Sequence, residues 1–186
     1  MKKAFSLFFV LLVSCQTFSQ LKLKVGDKAP IINITDYLQN TPNDKNLDNK
    51  YILLEFWATW CTTCLVEVPN LNKMHERFKD QTDFVFVSIT DESPEKTKKT
   101  LDRIKFNSIV VSDQTKKALN DFVVEDELGT FSIPKTFLID NKGIIRWIGQ
   151  PCILNDIVIN KFLKGEEILA SDNTVLEEMI PAPTFK

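Results

Sequence analysis

Five residues constrain this chain more than any others: Trp60-Cys61-Thr62-Thr63-Cys64, set between an apolar run and an amphipathic stretch. The run, Tyr51 to Trp57, is interrupted by a single charge, Glu55, and reads as a strand buried on both faces. From Cys64 to about Phe78, the residues Val66, Val68, Leu71, Met74 and Phe78 recur at helical spacing. A Cys-x-x-Cys at the junction of such a strand and helix places its first cysteine at the helix N-terminus. There, unpaired backbone N–H groups and the helix dipole stabilise a thiolate. The second cysteine falls one turn later on the same side, within reach of a disulfide. The pattern points to a redox couple. Pro69 lies inside the helix and predicts a kink near Leu65 to Pro69.

Two other readings of the pair compete. A zinc site would need a second pair of ligands, but the remaining cysteines, Cys15 and Cys152, and the one histidine, His75, stand apart. Neither a metal nor another cofactor is implied. A purely structural disulfide is the second alternative, and it fits less well directly after a buried strand and between Trp57 and Trp60.

With 44% hydrophobic and 26% charged residues over 186 positions, the chain is one globular domain with terminal extensions. A net charge of −2 without any basic block argues against a nucleic-acid partner. Residues 1–19 read as a secretory signal. Lys2 and Lys3 precede an apolar segment, Ala4 to Val13, too short to span a membrane as a mature helix, and Thr17-Phe18-Ser19 suits cleavage before Gln20. Cleavage would remove two lysines and no acid, leaving 21 basic against 25 acidic residues, or −4. Leu12-Val13-Ser14-Cys15 also resembles a bacterial lipobox, so Cys15 is either a lipid anchor or discarded with the signal. Both routes export the protein to the periplasm or cell envelope. In an oxidising compartment a catalytic dithiol needs a partner to hold its redox state.

Further along, Leu21 to Val25 and Ala29 to Ile34 predict two short strands joined by a turn at Gly26-Asp27. Phe84 to Ile89 predicts a strand, and Ser93-Pro94 opens a helix running to about Lys105. A short strand at Ser108 to Val111 and a short helix at Thr115 to Phe122 follow, then an acidic loop, Glu125 to Thr130. Phe131 to Asp140 predicts a strand entered through Ile133-Pro134. A turn at Asn141-Lys142-Gly143 leads to its hairpin partner, Ile144 to Ile148. Asp156 to Lys164 closes the domain as a helix stopped by Gly165, and Val175 to Ile180 in the tail suits one more helical turn. Cys152, beside Ile153 and Leu154, reads as a small buried side chain outside the chemistry. The organisation is therefore a signal at 1–19, a domain at 20–165 and a tail at 166–186.

The strand, Trp-Cys-x-x-Cys, proline-containing helix and late Ile-Pro before a hairpin together resemble the thioredoxin fold. More closely, the chain is similar to the TlpA/ResA-like extracytoplasmic thioredoxins. The matching stretches are Val25 to Pro30, Leu54 to Cys64, Glu67-Val68-Pro69 and Ile133 to Asp140. The resemblance implies an α/β sandwich, a central mixed sheet with helices on both faces and an added N-terminal β-hairpin. It implies Cys61 as nucleophile, Cys64 as resolving thiol and Pro134 as a cis-proline beside them; Trp60, directly before Cys61, is a further candidate site residue. The dipeptide between the cysteines departs from the Gly-Pro of thioredoxins. Thr63 retains a backbone N–H that a proline would lack, which favours the thiolate.

These residues predict a thiol–disulfide oxidoreductase of the bacterial envelope that reduces disulfides of substrate proteins and is itself recharged by a membrane thiol–disulfide reductant. Cytochrome c maturation, support of disulfide isomerisation and general thiol repair all suit such an enzyme. The alternatives are a peroxide-reducing enzyme of the same superfamily and a non-catalytic binding module with a structural disulfide. Two carboxylates are candidates for the base that deprotonates Cys64. Glu67 lies three residues further along the same helix, and Glu55 sits in the buried strand. The resemblance tips the choice towards Glu67.

Overall fold

A computed structural model describes residues 23–122 and 132–173. The signal segment, Cys15, the acidic loop and Val175 to Ile180 lie outside these described residues. Six strands form one sheet: β1 (Asp36–Gln39), β2 (Tyr51–Phe56), β3 (Phe84–Thr90), β4 (Ile109–Ser112), β5 (Lys135–Ile139) and β6 (Ile145–Gly149). Their order across the sheet is β1-β4-β3-β2-β5-β6. β2 is parallel to β3, and β3 to β4, while β1, β5 and β6 join antiparallel, so the sheet is mixed. Among the described residues four α-helices accompany the sheet: α1 (Thr62–Phe78), α2 (Pro94–Arg103) and α3 (Lys117–Asp121) between strands, and α4 (Asp156–Lys164) after the last strand.

The side-chain period of two along β2 sends its residues to opposite faces. Leu54 and Phe56 point into one core, where Phe56, Phe122 and Phe137 pack with ring centroids 5.0 to 6.0 Å apart. Leu53 points to the other, against Leu71 and Met74 of α1 and Val158, Ile159 and Phe162 of α4. A third cluster sits at the C-terminal end of β2, where Trp57, Cys61, Cys64, Val68, Leu101 and Phe106 enclose the cysteines. Burial on both faces explains why the strand is apolar almost without interruption.

Local signals in the sequence account for most boundaries. Ser93 caps α2 by accepting the Lys96 N–H, with Pro94 as the first helical residue. Asn155 caps α4 by accepting the Val158 N–H, and Gly165, at φ 70°, ends it in the left-handed conformation. Gly143 (φ 73°) makes the β5–β6 turn. Helix α1 continues through Pro69, and its buried residues are Cys64, Val68, Leu71 and Met74. Val66, expected in that stripe, is 65% exposed.

The added N-terminal β-hairpin is not formed among the described residues. Lys24 to Asp27 closes on itself instead: the Asp27 carboxylate accepts the Lys24 N–H, and Asp27 N–H bonds Lys24 O. The segment then meets the start of β6 through Gly26 N–H to Ile145 O, Ala29 N–H to Gly143 O and one bridge, Lys28 to Ile144. Val25 and Ile31 are exposed, while Leu23, Ala29, Ile32 and Ile34 pack on the main core, so the segment is held by contacts with that core and not by pairing of two strands. The first true strand is β1, which pairs with β4 at the sheet edge. At the other end, residues 166–173 fold back on the domain. Asp172 bonds Lys161 at 2.7 Å, Asn155 donates to Asp172 O, and Trp147 Nε1 donates to Asn173.

Candidate active site

Cys61 and Cys64 are joined in a disulfide at the start of α1, with Cα atoms 5.3 Å apart. Cys61 is the N-cap of the helix, and its sulfur receives the Cys64 N–H at 3.2 Å. Thr63 Oγ1 lies 3.4 Å from the same sulfur. A disulfide sulfur has no proton to give, so the Thr63 hydroxyl is the donor. The expected contribution of Thr63 thus comes from its side chain, while the backbone donor is that of the next residue. The two sulfurs differ in access: Cys61 is 5% exposed and Cys64 is fully buried. Trp60, immediately before them, is 60% exposed. The Ile133–Pro134 bond is cis, and Ile133 packs on the cluster that holds both cysteines.

The loop from β2 to the disulfide is held by a residue that sequence reasoning did not single out. Glu92 precedes the cap of α2, and its carboxylate is almost completely buried. It accepts the Thr59 N–H at 2.7 Å and the Thr59 hydroxyl at 3.0 Å, and pairs with Lys96 at 2.6 Å. Cys61 N–H closes the same loop on Ala58 O at 3.1 Å. Beside the clamp, Trp57, Trp60, Glu92, Lys96 and Ile133 line a cleft. No periodicity marks Glu92; the Asp91-Glu92-Ser93-Pro94 run reads simply as a helix start. Replacing Glu92 by alanine leaves the Thr59 donors without their acceptor and is expected to destabilise the oxidised protein by about 2 kcal/mol. Urea unfolding checks this, and a change below about 0.5 kcal/mol would mean that Glu92 does not hold the loop.

The two candidate carboxylates differ sharply. Glu55 is completely buried, on the same face of the sheet as Leu53 and Trp57 and beneath α1. Burial pushes its pKa up to about 8; the Ser88 hydroxyl opposes this, and the charge of Glu67 adds to it. Its Oε2 accepts the Ser88 hydroxyl at 3.1 Å, whereas Oε1 has no partner among the described residues. Glu67 is partly exposed on α1 and accepts a hydrogen bond from Asn70 at 3.1 Å.

Cys152 departs from expectation. It is exposed in a 3-10 turn (Pro151–Ile153), because Pro151 and Leu154 take the buried positions on either side. Its sulfur bonds only Gln150 Oε1, at 3.7 Å. A maleimide should therefore label Cys152 in the folded, oxidised protein. Cys152→Ala should leave disulfide reduction unchanged, and lost turnover in a folded Cys152→Ala protein would give this thiol a part in the chemistry.

A disulfide at a helix N-terminus, a cis Ile133–Pro134 bond whose Ile133 packs on the cysteine cluster, and a mixed sheet define the class: a thioredoxin-fold protein with a Cys-x-x-Cys disulfide. The chain belongs to the AhpC/TSA family, whose family model matches residues 25–148. It is 31% identical over 125 residues to the thiol:disulfide interchange protein DsbE of Haemophilus influenzae, covering 66% of this chain and 64% of that one. Against the thiol-disulfide oxidoreductase ResA of Bacillus anthracis it is 27% identical over 122 residues, 66% of this chain and 67% of the relative. Among solved structures, the thioredoxin domain of a thiol-disulfide oxidoreductase from Bacteroides vulgatus superposes with a TM-score of 0.59 at 25% identity. That match covers 77% of this chain and 97% of the domain. The relatives are of the ResA-like kind that the sequence resembles.

Proposed function

We propose that this protein reduces disulfides of substrate proteins outside the cytoplasm, with Cys61 as nucleophile and Cys64 as resolving thiol. The unequal access of the two sulfurs carries the reading. Cys61 lies at the helix N-terminus beside exposed Trp60 and receives two hydrogen-bond donors, while Cys64 is sealed beneath α1. In the reduced protein those donors face the Cys61 thiolate and favour it over the thiol. The thiolate attacks a substrate disulfide, one substrate sulfur leaves, and Cys64 then displaces the other by closing the Cys61–Cys64 bond. We assign the Cys64 proton to Glu55 over the partly exposed Glu67: Glu55 is completely buried on the sheet face beneath α1, and its pKa, raised to about 8, approaches that of a free thiol, about 8.5. Exposed Trp60 and half-buried Ile133, which precedes the cis bond to buried Pro134, offer the surface against which a substrate chain would lie.

The reading places residues 1–19 as an export signal and the reductant in the membrane, with Cys15 as a candidate lipid anchor. Its support is the sequence pattern and the kinship with DsbE and ResA proteins. Haem-binding apoproteins with paired cysteines, as in cytochrome c maturation, are a fitting substrate class. Cys64→Ser should accumulate mixed disulfides through Cys61, and mass spectrometry of the trapped species would name the substrates. Failure to reduce insulin with both cysteines intact would overturn the reading. Peroxide consumption without a thiol partner would replace it with the peroxidase alternative.

A further inference from the structure

Glu55 does not stand alone. The hydroxyl of Ser88, its register partner on β3, donates to Glu55 Oε2 at 3.1 Å. Ser88 Oγ also lies 2.8 Å from Ser108 Oγ. A serine hydroxyl has one proton, and that of Ser88 is committed to the carboxylate, so Ser108 donates to Ser88. Both hydroxyls therefore point inward along one line, from Ser108 to Ser88 to Glu55. Ser88 is buried, whereas Ser108, just before β4, keeps a small exposed area. The backbone around Ser108 is fixed: Asn40 donates to Phe106 O at 2.6 Å and to Ser108 O at 2.8 Å. Asn107 N–H donates to Asn72 of α1 at 2.7 Å. The crevice shared by Glu55, Leu71, Asn72, Ser88 and Ser108 has no space for a water molecule.

We propose that Ser88 and Ser108 form a hydroxyl relay carrying protons between the Glu55 carboxyl group and solvent, with Ser88 a positioning residue for proton transfer at Cys64. The inference rests on Glu55 being the base for Cys64. A proton taken up by a carboxyl group buried this deeply can reach solvent only through neighbouring groups, because the crevice admits no water. The two carboxylate oxygens divide the work. Oε1, without a partner among the described residues, is the open oxygen; Oε2 is wired to Ser88.

The cycle balances. The Cys64 thiol yields its proton to the Glu55 carboxylate while its sulfur attacks Cys61 Sγ in the mixed disulfide. The Cys61–substrate S–S bond breaks, and the substrate sulfur leaves with the electron pair and takes a proton from water. Glu55, now a carboxylic acid, rotates to donate to Ser88 Oγ and the two hydroxyls turn outward; Glu55 then passes a proton to Ser88 as Ser88 passes its own to Ser108 and Ser108 its own to water, which leaves both hydroxyls pointing inward again. When a reductant thiolate reopens the Cys61–Cys64 bond at Cys61, the relay runs inward and Cys64 leaves as a thiolate that is protonated by Glu55. The groups facing Glu55 are Ser88 from β3, Thr136 from β5, and Leu71 and Asn72 from α1; the charge acting on it is that of Glu67.

Single-turnover disulfide reduction by the full chain from pH 5 to 9 tests the relay. Ser88→Ala removes a donor from the carboxylate, so the midpoint of the Glu55-dependent rate should move up by about one pH unit, the worth of one charge-assisted hydrogen bond. Ser88→Thr keeps a hydroxyl and should restore the parent profile. Ser108→Ala leaves the inner bond intact, so its midpoint should move less while its rate still falls. In a Glu55→Gln background, Ser88→Ala should change nothing further. If Ser88→Ala does not fold, carbon-13 NMR titration of Glu55 in oxidised Ser108→Ala carries the test, with slowed proton exchange expected. A changed profile in Glu55→Gln together with a parent profile in both serine variants would overturn the relay and leave Glu55 as base. An unchanged profile in Glu55→Gln would overturn the base assignment and the relay with it.

Discussion

Replacing Cys61 with serine is expected to abolish disulfide reduction, lowering the single-turnover rate by on the order of a thousandfold or more. A serine hydroxyl is not ionised near neutral pH, so the two donors that meet the Cys61 sulfur would then face a neutral group. Cys64→Ser should behave differently, because the first attack needs only Cys61. It should release no product yet form the mixed disulfide at a rate within about tenfold of the parent. The same asymmetry predicts alkylation. In the reduced protein at pH 7, iodoacetamide should modify Cys61 well before Cys64, which α1 and the Trp57–Phe106 pair bury completely. Peptide mapping after a short pulse reads the ratio, and faster labelling of Cys64 would reverse the assignment of roles.

The parts of this architecture that are legible in sequence are those where one physical rule acts alone. A strand buried on both faces must be apolar, so β2 is visible from Tyr51 onward, and Glu55 is conspicuous as its exception. The ends of α2 and α4 follow from Ser93, Pro94, Asn155 and Gly165, whose caps are local hydrogen bonds or a glycine turn. The cis-proline is different: Ile133-Pro134 permits either isomer, and the family resemblance pointed to the one observed.

What remained hidden depends on partners distant in sequence. β1 contains Asp36 and Gln39 and has no alternation to mark it; it exists because β4 offers an open edge. The alternation ending at Val25 forms no strand over the described residues 23–25, because Gly26 turns the chain and the contact with the start of β6 is made by residues 26–29. Glu92 reaches across 33 positions to Thr59, and Ser88 the same distance to Glu55. Neither residue type is remarkable where it stands in the sequence. The preference for Glu67 over Glu55 likewise rests on the family resemblance, which does not report how deeply a strand carboxylate is buried.

That burial has a consequence for stability. The ordinary carboxyl value of 4.5 is pushed up to about 8 for Glu55 in the fold, so between these values the folded chain keeps a proton that the unfolded chain has released. Stability from this group is full below about pH 4.5 and is lost as pH rises through about 8. The loss should reach on the order of 3 to 5 kcal/mol, since each unit of pKa difference is worth about 1.4 kcal/mol. Other groups work differently: His75, lowered by burial, adds stability as pH rises towards 6.5. Asp113, Asp140 and Asp172, all lowered, act only in the acid range near and below 3.8. A comparison of parent with Glu55→Gln cancels these contributions, because both proteins retain them. Urea unfolding of the oxidised proteins at pH 5 and pH 8.5 keeps the redox thiols out of the titration. The parent should lose several kcal/mol relative to Glu55→Gln over that interval. Any pH-independent cost of the amide shifts both points equally and drops out of the difference. Parallel losses in the two proteins would mean that Glu55 is already ionised in the fold at pH 5, and a carboxylate charged there would be too weak a base to take a proton from Cys64.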